Sequence, residues 1–283
     1  MKTEKIAILT DSGSDVYPEL LKDYPLFVVP LQVIYSSQTY QDGIDIQPQD
    51  VYARLEQEVP KTSLPQTELI VDQLNRIKAL GYTHVIAILL SSGLSGTFNL
   101  FRLLKESSPL PMEVIDTKNI GIASGLSAIQ AAHYVKEGYT RDEVMAKTLA
   151  LIPHTKVFFL LDTLKYLQLG GRIGKVAAVL GHVLDMKPII SCNEEGVYVT
   201  VSKTKGRKLS LNKILELVHD YIGHHTHFTI AIAQGDALDD ALRMKERLSQ
   251  QYPNQTISIG SVSPALGVHT GPGLLGVAIQ ILD

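Results

Sequence analysis

The sequence contains no tryptophan, six phenylalanines and one cysteine among its 283 residues. Few aromatic side chains argue against a stacking platform for nucleic acid. A single cysteine, Cys192, cannot form an intrachain disulfide, as is typical of a reducing compartment. The net charge of -3 provides no overall attraction to nucleic acid or to an anionic membrane.

Long apolar runs are also missing. No stretch approaches the roughly 18 apolar residues that a transmembrane helix requires, and Met1–Lys5 is polar, without the pattern of a signal peptide. We therefore expect a cytoplasmic protein that has no nucleic-acid partner and makes at most transient contact with a membrane.

The first half of the chain alternates strand and helix patterns. Apolar runs predict strands, and the segments between them have helical periodicity. Phe27–Tyr35 is rich in β-formers but is interrupted by Pro30, which favours an edge strand or a bulge. The alternation predicts a parallel sheet covered by helices on both faces. The expected strands are Lys5–Leu9, His84–Leu90 and Met112–Asp116, and the expected helices are Tyr17–Asp23, Pro48–Glu58, Gln66–Leu80, Ser95–Glu106, Gly125–Lys136 and Arg141–Leu151.

The second half mixes hairpin and helix signals. Asn193–Gly196 lies between two β-rich runs and predicts a hairpin, which favours a mixed α/β domain. Pro153 marks a plausible boundary. We predict two α/β domains, an N-terminal parallel-sheet domain at 1–155 and a mixed domain at 156–283. The expected strands are Val157–Leu161, Pro188–Cys192, Val197–Ser202, Phe228–Ala233, Thr256–Val262 and Leu275–Leu282, and the expected helices are Val176–Leu184, Leu209–Ile222 and Ala237–Gln250.

The segment Ser91–Thr97 is the sharpest local feature, because a buried strand ends there in a Ser/Gly turn before a helix. Unpaired N–H groups and the helix dipole make such a helix start suitable for an anion. Ser95 could donate its hydroxyl to that anion, or it could simply cap the helix. The two interpretations have similar weight. The loop lacks the nucleotide P-loop pattern.

Two turns outside that segment carry further polar candidates. Thr62 and Ser63 lie between two expected helices, where they either contact a ligand or begin the next helix; on local pattern alone the second is favoured. His269 lies in the glycine-rich stretch Gly267–Gly273, which we expect to be a turn. A lone histidine in such a turn by default has no functional role, although the Gly and Pro residues around it favour a fixed position of its side chain.

The turn Thr10–Asp15 follows the first strand. Asp11 could bind a metal or act as an acid or base. Ordinary turn chemistry, with Ser14 or Asp15 capping the next helix, is favoured.

Cations concentrate in two segments. Arg172 lies among the glycines of 170–175, a loop that can approach a carboxylate or phosphate closely. The basic run 202–208, which includes Lys205 and Arg207, is either a solvated face or a docking patch for an acidic partner. His224, His225 and His227 have no Cys or carboxylate at ligand spacing, so we expect no metal site. Cys192 is expected to be inert packing.

Eight motifs in this order resemble the DegV family. They are TDSGSD at 10–15, VVPLQV at 28–33, YQDGIDI at 40–46, TSLP at 62–65, SSGLSGT at 91–97, DTLKYLQLGGRIGK at 162–175, KPII at 187–190 and HTGPG at 269–273.

The resemblance implies a two-domain α/β fold with one long-chain fatty acid, such as palmitate, stearate or oleate, buried between the domains. It implies no cofactor and no catalysis by this chain. DegV proteins look like the acyl-carrier subunit of a bacterial fatty acid kinase, whose catalytic subunit is related to dihydroxyacetone kinases. By this similarity Thr62, Ser95 and His269 hold the carboxylate. Secondary site positions are Ser63, Gly96, Thr97, Thr270 and Gly271, and the kinase-facing positions are Arg172, Lys205 and Arg207.

Two other functions remain open. Asp11, His269 and Arg172 could form a stand-alone hydrolase or transferase site for a phosphorylated or acylated small molecule, although no nucleophile, base and acid arrangement is recognisable. A lipid-sensing regulator would share the cavity but would yield no acyl phosphate with a kinase and ATP.

Overall fold

The fold is seen in a computed structural model that describes residues 4–17, 24–179 and 186–283. In chain order the strands of these residues are β1 (Ile6–Asp11), β2 (Leu26–Val29), β3 (Gln32–Ile34), β4 (Thr39–Gln41), β5 (Lys61–Ser63), β6 (His84–Leu89), β7 (Met112–Asp116), β8 (Thr155–Leu160), β9 (Met186–Cys192), β10 (Tyr198–Lys205), β11 (Phe228–Gly235), β12 (Ile257–Ser261) and β13 (Leu274–Ile281). The α-helices are α1 (Pro48–Arg54), α2 (Thr67–Ala79), α3 (Thr97–Leu104), α4 (Ile122–Lys136), α5 (Arg141–Leu151), α6 (Lys165–Leu169), α7 (Arg207–Ile222), α8 (Leu238–Gln251) and α9 (Pro264–Thr270).

A four-stranded parallel sheet organises the first half, in the order β2-β1-β6-β7. Its strands are apolar on both faces because each face carries helices. Leu9 and Leu89 pack with Ile70 of α2 and Phe101 of α3, whereas the alternate residues face α4 and α5. The prediction of a helix-covered parallel sheet is confirmed, and Pro30 ends the edge strand β2 as its ring requires.

A six-stranded mixed sheet organises the second half, in the order β10-β9-β8-β13-β11-β12. All of its pairs are antiparallel except β11 with β12, and β9 and β10 form the predicted hairpin. One face is covered by α7 and α8, through side chains such as Val218 and Met244. The prediction of a mixed second half is confirmed, whereas the division at residue 155 stays a prediction.

Helix α4 is packed between the two sheets, against β1 and β6 on one side and β8, β11 and β13 on the other. Its first turns are therefore buried nearly all round, and small residues allow the close approach. A side chain at Gly125 would collide with the backbone carbonyl of Ser14. Because α4 separates the sheets only along part of their width, space for a cavity remains beside its N-terminus.

A three-stranded antiparallel sheet, β4-β3-β5, was not predicted. The segment at 61–65, which lies between two expected helices, contains β5. These strands have three residues each, too few for an alternating pattern, and their pairing with β3 defines them. This small sheet carries Thr62.

Several helix boundaries also differ from expectation. The expected turn around His269 is the helix α9, begun by Ser263 as N-cap and Pro264 in its first turn, signals present in the sequence. Helix α1 ends at Arg54 rather than Glu58, and a turn follows at 55–57. Helix α3 begins two residues later than expected. In the expected helix Val176–Leu184, residues up to Val179 are 3₁₀-helical. The rest of it, and 18–23 of the expected helix Tyr17–Asp23, lie outside the described residues.

Buried carboxyl groups join the first half of the chain to the N-terminus of α9. Asp15 Oδ1 accepts the backbone N–H of Ser263 at 2.8 Å, and Asp42 Oδ1 accepts that of Ala265 at 2.7 Å. Asp42 Oδ2 also accepts the hydroxyl of Ser12 at 2.6 Å. Helix N–H groups have no intrahelical partner at this end, so the two carboxyl groups satisfy them and anchor the helix.

We expect Asp42→Ala to destabilise the protein by about 2–4 kcal/mol at pH 5, because it leaves the Ala265 N–H and the Ser12 hydroxyl unpaired in the interior. The control is Asp45→Ala, which removes an exposed carboxylate that accepts one N–H from Gln41. Urea denaturation of both variants measures the difference. Equal small losses would contradict the anchoring role.

The loss of stability in Asp42→Ala should depend on pH. Burial raises the pKa of Asp42 from 3.8 to about 6, so the folded state holds this proton more tightly than the unfolded state. That stabilisation is complete below pH 3.8 and is lost as the pH rises through 6. The advantage of the wild type over Asp42→Ala should therefore shrink by about 2 kcal/mol between pH 4 and pH 7.

Candidate functional site

A cavity of about 270 Å³ lies between β5, the loop after β6, the Arg172 loop and α9. We call it the outer chamber. It brings together four of the residues singled out in the sequence: Thr62, Ser95, Arg172 and His269. Its full lining is Leu31, Thr62, Ser63, Leu64, Leu90, Leu94, Ser95, Ile120, Arg172, Tyr198, Ala265, Leu266, His269 and Thr270.

Thr62 and His269 form the central polar contact of the outer chamber. Thr62 Oγ1 lies 2.7 Å from His269 Nε2. Burial, assisted by the positive charge of Arg172, lowers the pKa of His269 from 6.5 to about 4. The imidazole is therefore neutral at physiological pH and acts through hydrogen bonding, not through a positive charge.

The tautomer of His269 follows from its surroundings. Among the described residues, Nδ1 has no hydrogen-bond partner, and it lies against Gly170, where any side chain would overlap the ring. A proton on Nδ1 would be a buried donor without an acceptor, which is costly. The hydrogen-bond network thus assigns the proton to Nε2, which donates to Thr62 Oγ1. The Thr62 hydroxyl proton is then free to point into the chamber.

Ser95 enters the outer chamber from the loop between β6 and α3. Its Oγ lies 2.9 Å from Thr97 Oγ1 and accepts the Thr97 N–H at 3.3 Å. The N-cap of α3 is Gly96, so Ser95 lies one residue before the cap, although its Oγ accepts the N–H of the first helical residue. Its hydroxyl, like that of Thr62, is half-buried at the chamber wall.

The family resemblance also implied five secondary site positions, of which some line the outer chamber. Ser63 and Thr270 line the outer chamber, whereas Gly96, Thr97 and Gly271 do not. The Thr270 hydroxyl donates to the Leu266 carbonyl at 3.0 Å. Gly271 has a φ of 68° and adjoins the Tyr166 ring, so a side chain there would be both strained and obstructed.

The three cations expected to face a partner do not lie together. Arg172 is half-buried at the outer chamber and donates to the Gly170 carbonyl at 2.7 Å. Arg207 lies in a separate polar groove, where it pairs at 2.6 Å with both Asp162 and Asp240 and donates to the Gly273 carbonyl. Lys205 is exposed at the end of β10. Arg207 is thus already committed to internal ion pairs.

A second, apolar cavity of about 40 Å³ adjoins the outer chamber. We call it the inner chamber. The two share the wall residues Ile120, Tyr198, Leu266 and Thr270. The inner chamber continues between the two sheets along Gly121, Ile122, Val157, Phe159, Ala233, Val262, Leu274 and Gly276, with Asp15 as its one carboxyl group among the described residues. A chamber that combines polar and apolar side chains therefore adjoins an apolar one.

Three fully buried carboxyl groups, Asp11, Asp15 and Asp42, were not predicted as a group. Burial raises the pKa of Asp11 to about 7 and of Asp42 to about 6, and it also raises that of Asp15. Asp11 accepts the Leu90 N–H at 3.0 Å and does not line the outer chamber, so it is not assembled with His269 and Arg172 as the hydrolase alternative requires. No local sequence signal could identify this group, because Asp15 meets a partner 248 positions away.

Three histidines and Cys192, for which we expected no function, line neither chamber. His224, His225 and His227 are exposed, and His225 pairs with Asp283 at 2.7 Å. Within the described parts of the chain, no group of three or more His, Cys, Asp or Glu side chains is arranged to hold a metal ion. Cys192 is buried, which raises the pKa of its thiol to about 12. No described helix combines the length and the apolar character needed to cross a membrane.

Comparison with known proteins identifies the family. Residues 5–281 match the family model described as "Uncharacterised protein, DegV family". The chain belongs to the DegV family. A DegV domain-containing protein of Clostridium perfringens is 42% identical over 279 residues, which cover 98% of this chain and 99% of the relative. One from Clostridium acetobutylicum is 40% identical over 277 residues, with the same coverage. The family predicted from the eight motifs is confirmed.

Solved structures of DegV proteins share the two-sheet fold. A DegV family protein of Thermus thermophilus, described by its fatty acid binding, superposes with a TM-score of 0.91 at 27% identity, covering 98% of this chain and all of the other. The fatty acid binding DegV of Bacillus subtilis gives 0.87 at 27%, covering 98% and 99%. A stearic acid-binding protein of Eubacterium ventriosum gives 0.88 at 25%, covering 98% of both chains. The predicted two-part α/β fold is therefore confirmed.

The neutral state of His269 leads to a prediction for acid conditions. Because its pKa is lowered from 6.5 to about 4, the unfolded state takes up this proton first as the pH falls. The stability that the neutral ring contributes is present above pH 6.5 and is lost as the pH falls through 4. Relative to His269→Gln, the wild type should lose about 3 kcal/mol across this window. Denaturant titrations at pH 7, 5.5 and 4 measure this, and parallel curves for both proteins would contradict a buried neutral imidazole.

Proposed function

We propose that this protein binds one long-chain fatty acid and presents its carboxylate to a separate ATP-dependent kinase, without catalysing a reaction itself. The observation that carries the proposal is that the outer chamber, with its cluster of polar side chains, adjoins the apolar inner chamber, with which it shares four wall residues. A fatty acid has the same division into a polar end and an apolar chain. The fatty acid binding of the DegV proteins from Thermus thermophilus and Bacillus subtilis supports it.

The carboxylate would lie in the outer chamber beside Thr62 and Ser95. With His269 Nε2–H donating to Thr62, the Thr62 hydroxyl is free to donate to a carboxylate oxygen. The Ser95 hydroxyl would donate to the same carboxylate while it accepts from the Thr97 hydroxyl. Arg172 adds a positive charge at the same chamber. Neutral donors hold the carboxylate by hydrogen bonds and leave its oxygens nucleophilic. The acyl chain would run between the proposed domains 1–155 and 156–283.

The acyl chain would supply most of the affinity. Each buried CH₂ contributes about 0.8 kcal/mol, so a chain such as palmitate, stearate or oleate gains on the order of 10 kcal/mol before the costs of association. Because the inner chamber is small without a ligand, side chains such as Leu266 and Phe159 would have to adjust around the chain. The polar end then orients the ligand while the chain retains it.

The partner would be a kinase of the dihydroxyacetone kinase type, acting in the cytoplasm. One carboxylate oxygen would bond to the γ-phosphorus of ATP as the bond to the leaving ADP breaks, giving an acyl phosphate. Arg172 at the outer chamber and Lys205 on the exposed end of β10 are the proposed contacts for this partner, and Arg207 would support that face through its ion pairs with Asp162 and Asp240.

Ligand binding is tested by mass spectrometry of the intact protein under native and then denaturing conditions. We expect a native mass excess equal to one long-chain fatty acid, lost on denaturation.

In Gly170→Ala the new methyl group would overlap the His269 ring, so stearate affinity should fall about tenfold or more through loss of the Thr62–His269 contact.

Gly96→Ala is the matched control for that variant, because its added carbon would lie 3.4 Å from Leu64, an ordinary contact. Gly170 and Gly96 both have negative φ angles, so alanine strains neither backbone. A wild type that neither carries nor takes up a fatty acid would refute the binding proposal.

Presentation to a kinase is tested by adding a kinase of the dihydroxyacetone kinase type, ATP and the stearate-loaded protein. Trapping with hydroxylamine should yield stearoyl hydroxamate, and ADP should appear in equal amount. Thr62→Val, which removes the hydroxyl at constant shape, should lower the rate about tenfold, and Thr62→Ser should restore it. ADP release no faster than with kinase alone would refute this half of the proposal while leaving fatty acid binding intact.

A further inference from the structure

Asp15 is the one carboxyl group among the described residues that line the inner chamber. This side chain is 5% exposed, and its two oxygens have different surroundings. Oδ1 accepts the Ser263 N–H at 2.8 Å. Oδ2 is buried and has no hydrogen-bond partner among the described residues. It lies beside Gly121, itself part of the inner chamber wall, because a carbon added to Gly121 would sit 3.0 Å from Oδ2.

A buried polar atom without a partner costs about 1–3 kcal/mol, so its position against a cavity calls for a ligand group. Burial raises the pKa of Asp15 well above its usual value, and the neighbouring Asp42 and Asp11 raise it further. The raised pKa favours the protonated carboxyl group, which carries an O–H. Oδ1 already accepts a hydrogen bond, so the group that remains without a partner is the O–H on Oδ2, a donor beside the inner chamber.

We infer that Asp15 recognises acyl chains that carry a hydrogen-bond acceptor, such as a keto oxygen, part-way along the chain. This inference rests on the proposed fatty acid binding and adds a chemical selectivity to it. A saturated chain would leave Asp15 unpaired, whereas an oxygen at the right depth would accept its proton.

Helix α9 gives the depth at which that oxygen should lie. His269, at the proposed carboxylate site, and Ser263, bonded to Asp15, are six residues apart along α9, which corresponds to about 9 Å at ~1.5 Å per residue. An extended chain advances about 1.2 Å per bond, so this distance corresponds to about carbon 8 of the acyl chain, with roughly two carbons of tolerance.

The test compares octadecanoic acid with 10-oxo-octadecanoic acid. Their dissociation constants are measured for the wild type, Asp15→Ala and Asp11→Asn. Asp11 is buried in the same turn but lines neither chamber, so it is the matched control. The preference for the oxo acid over the saturated acid should fall about tenfold in Asp15→Ala and stay unchanged in Asp11→Asn. An unchanged preference in Asp15→Ala would overturn the inference.

A second measurement needs no variant, in case Asp15→Ala does not fold. The wild type is titrated with octadecanoic acids whose keto group is at carbon 4, 10 or 16. We expect the tightest binding for carbon 10. Affinities that do not depend on the position of the keto group would overturn the inference while leaving fatty acid binding established. If the wild type binds neither octadecanoic acid nor any oxo acid, the proposed function fails as well.

Discussion

The attachment of α9 to buried carboxyl groups is the constraint on which the site depends. Asp15 and Asp42 come from the first half of the chain and accept backbone N–H groups at the start of a helix that belongs to the second half. The other end of this short helix carries His269. Because the helix is rigid, fixing its N-terminus also fixes the distance between the imidazole and Thr62, and it aligns the wall shared by the two chambers.

The same arrangement explains why the polar end of the cavity works with neutral groups. Desolvation keeps His269 uncharged and raises the pKa values of the buried aspartates. An uncharged imidazole can orient a hydroxyl without forming an ion pair with a carboxylate. Arg172 remains the one full positive charge among the described residues that line the outer chamber. Such a site suits a ligand that must be held and yet remain reactive toward a partner.

Sequence patterns predicted those elements whose cause is local. The continuous apolar run at 84–90 predicted β6, and the capping box of Thr140 and Glu143 marks the start of α5. The three-residue strand β5 and the buried aspartates could not be predicted locally, because pairing partners far away in the chain define them. Thr62 and His269 are 207 positions apart, and only the family resemblance, not periodicity, indicated that they meet. The short helix α9 was missed although Ser263 and Pro264 signal its start.

In the proposed complex a carboxylate occupies the outer chamber while its chain fills the inner one. A crystal structure of the protein with octadecanoic acid would show whether it does. We expect carboxylate oxygens within hydrogen-bonding distance of Thr62 Oγ1 and Ser95 Oγ, with the chain passing Leu266 and Tyr198 toward Asp15. A fatty acid bound elsewhere, or in the reverse direction with its carboxylate beside Asp15, would contradict it.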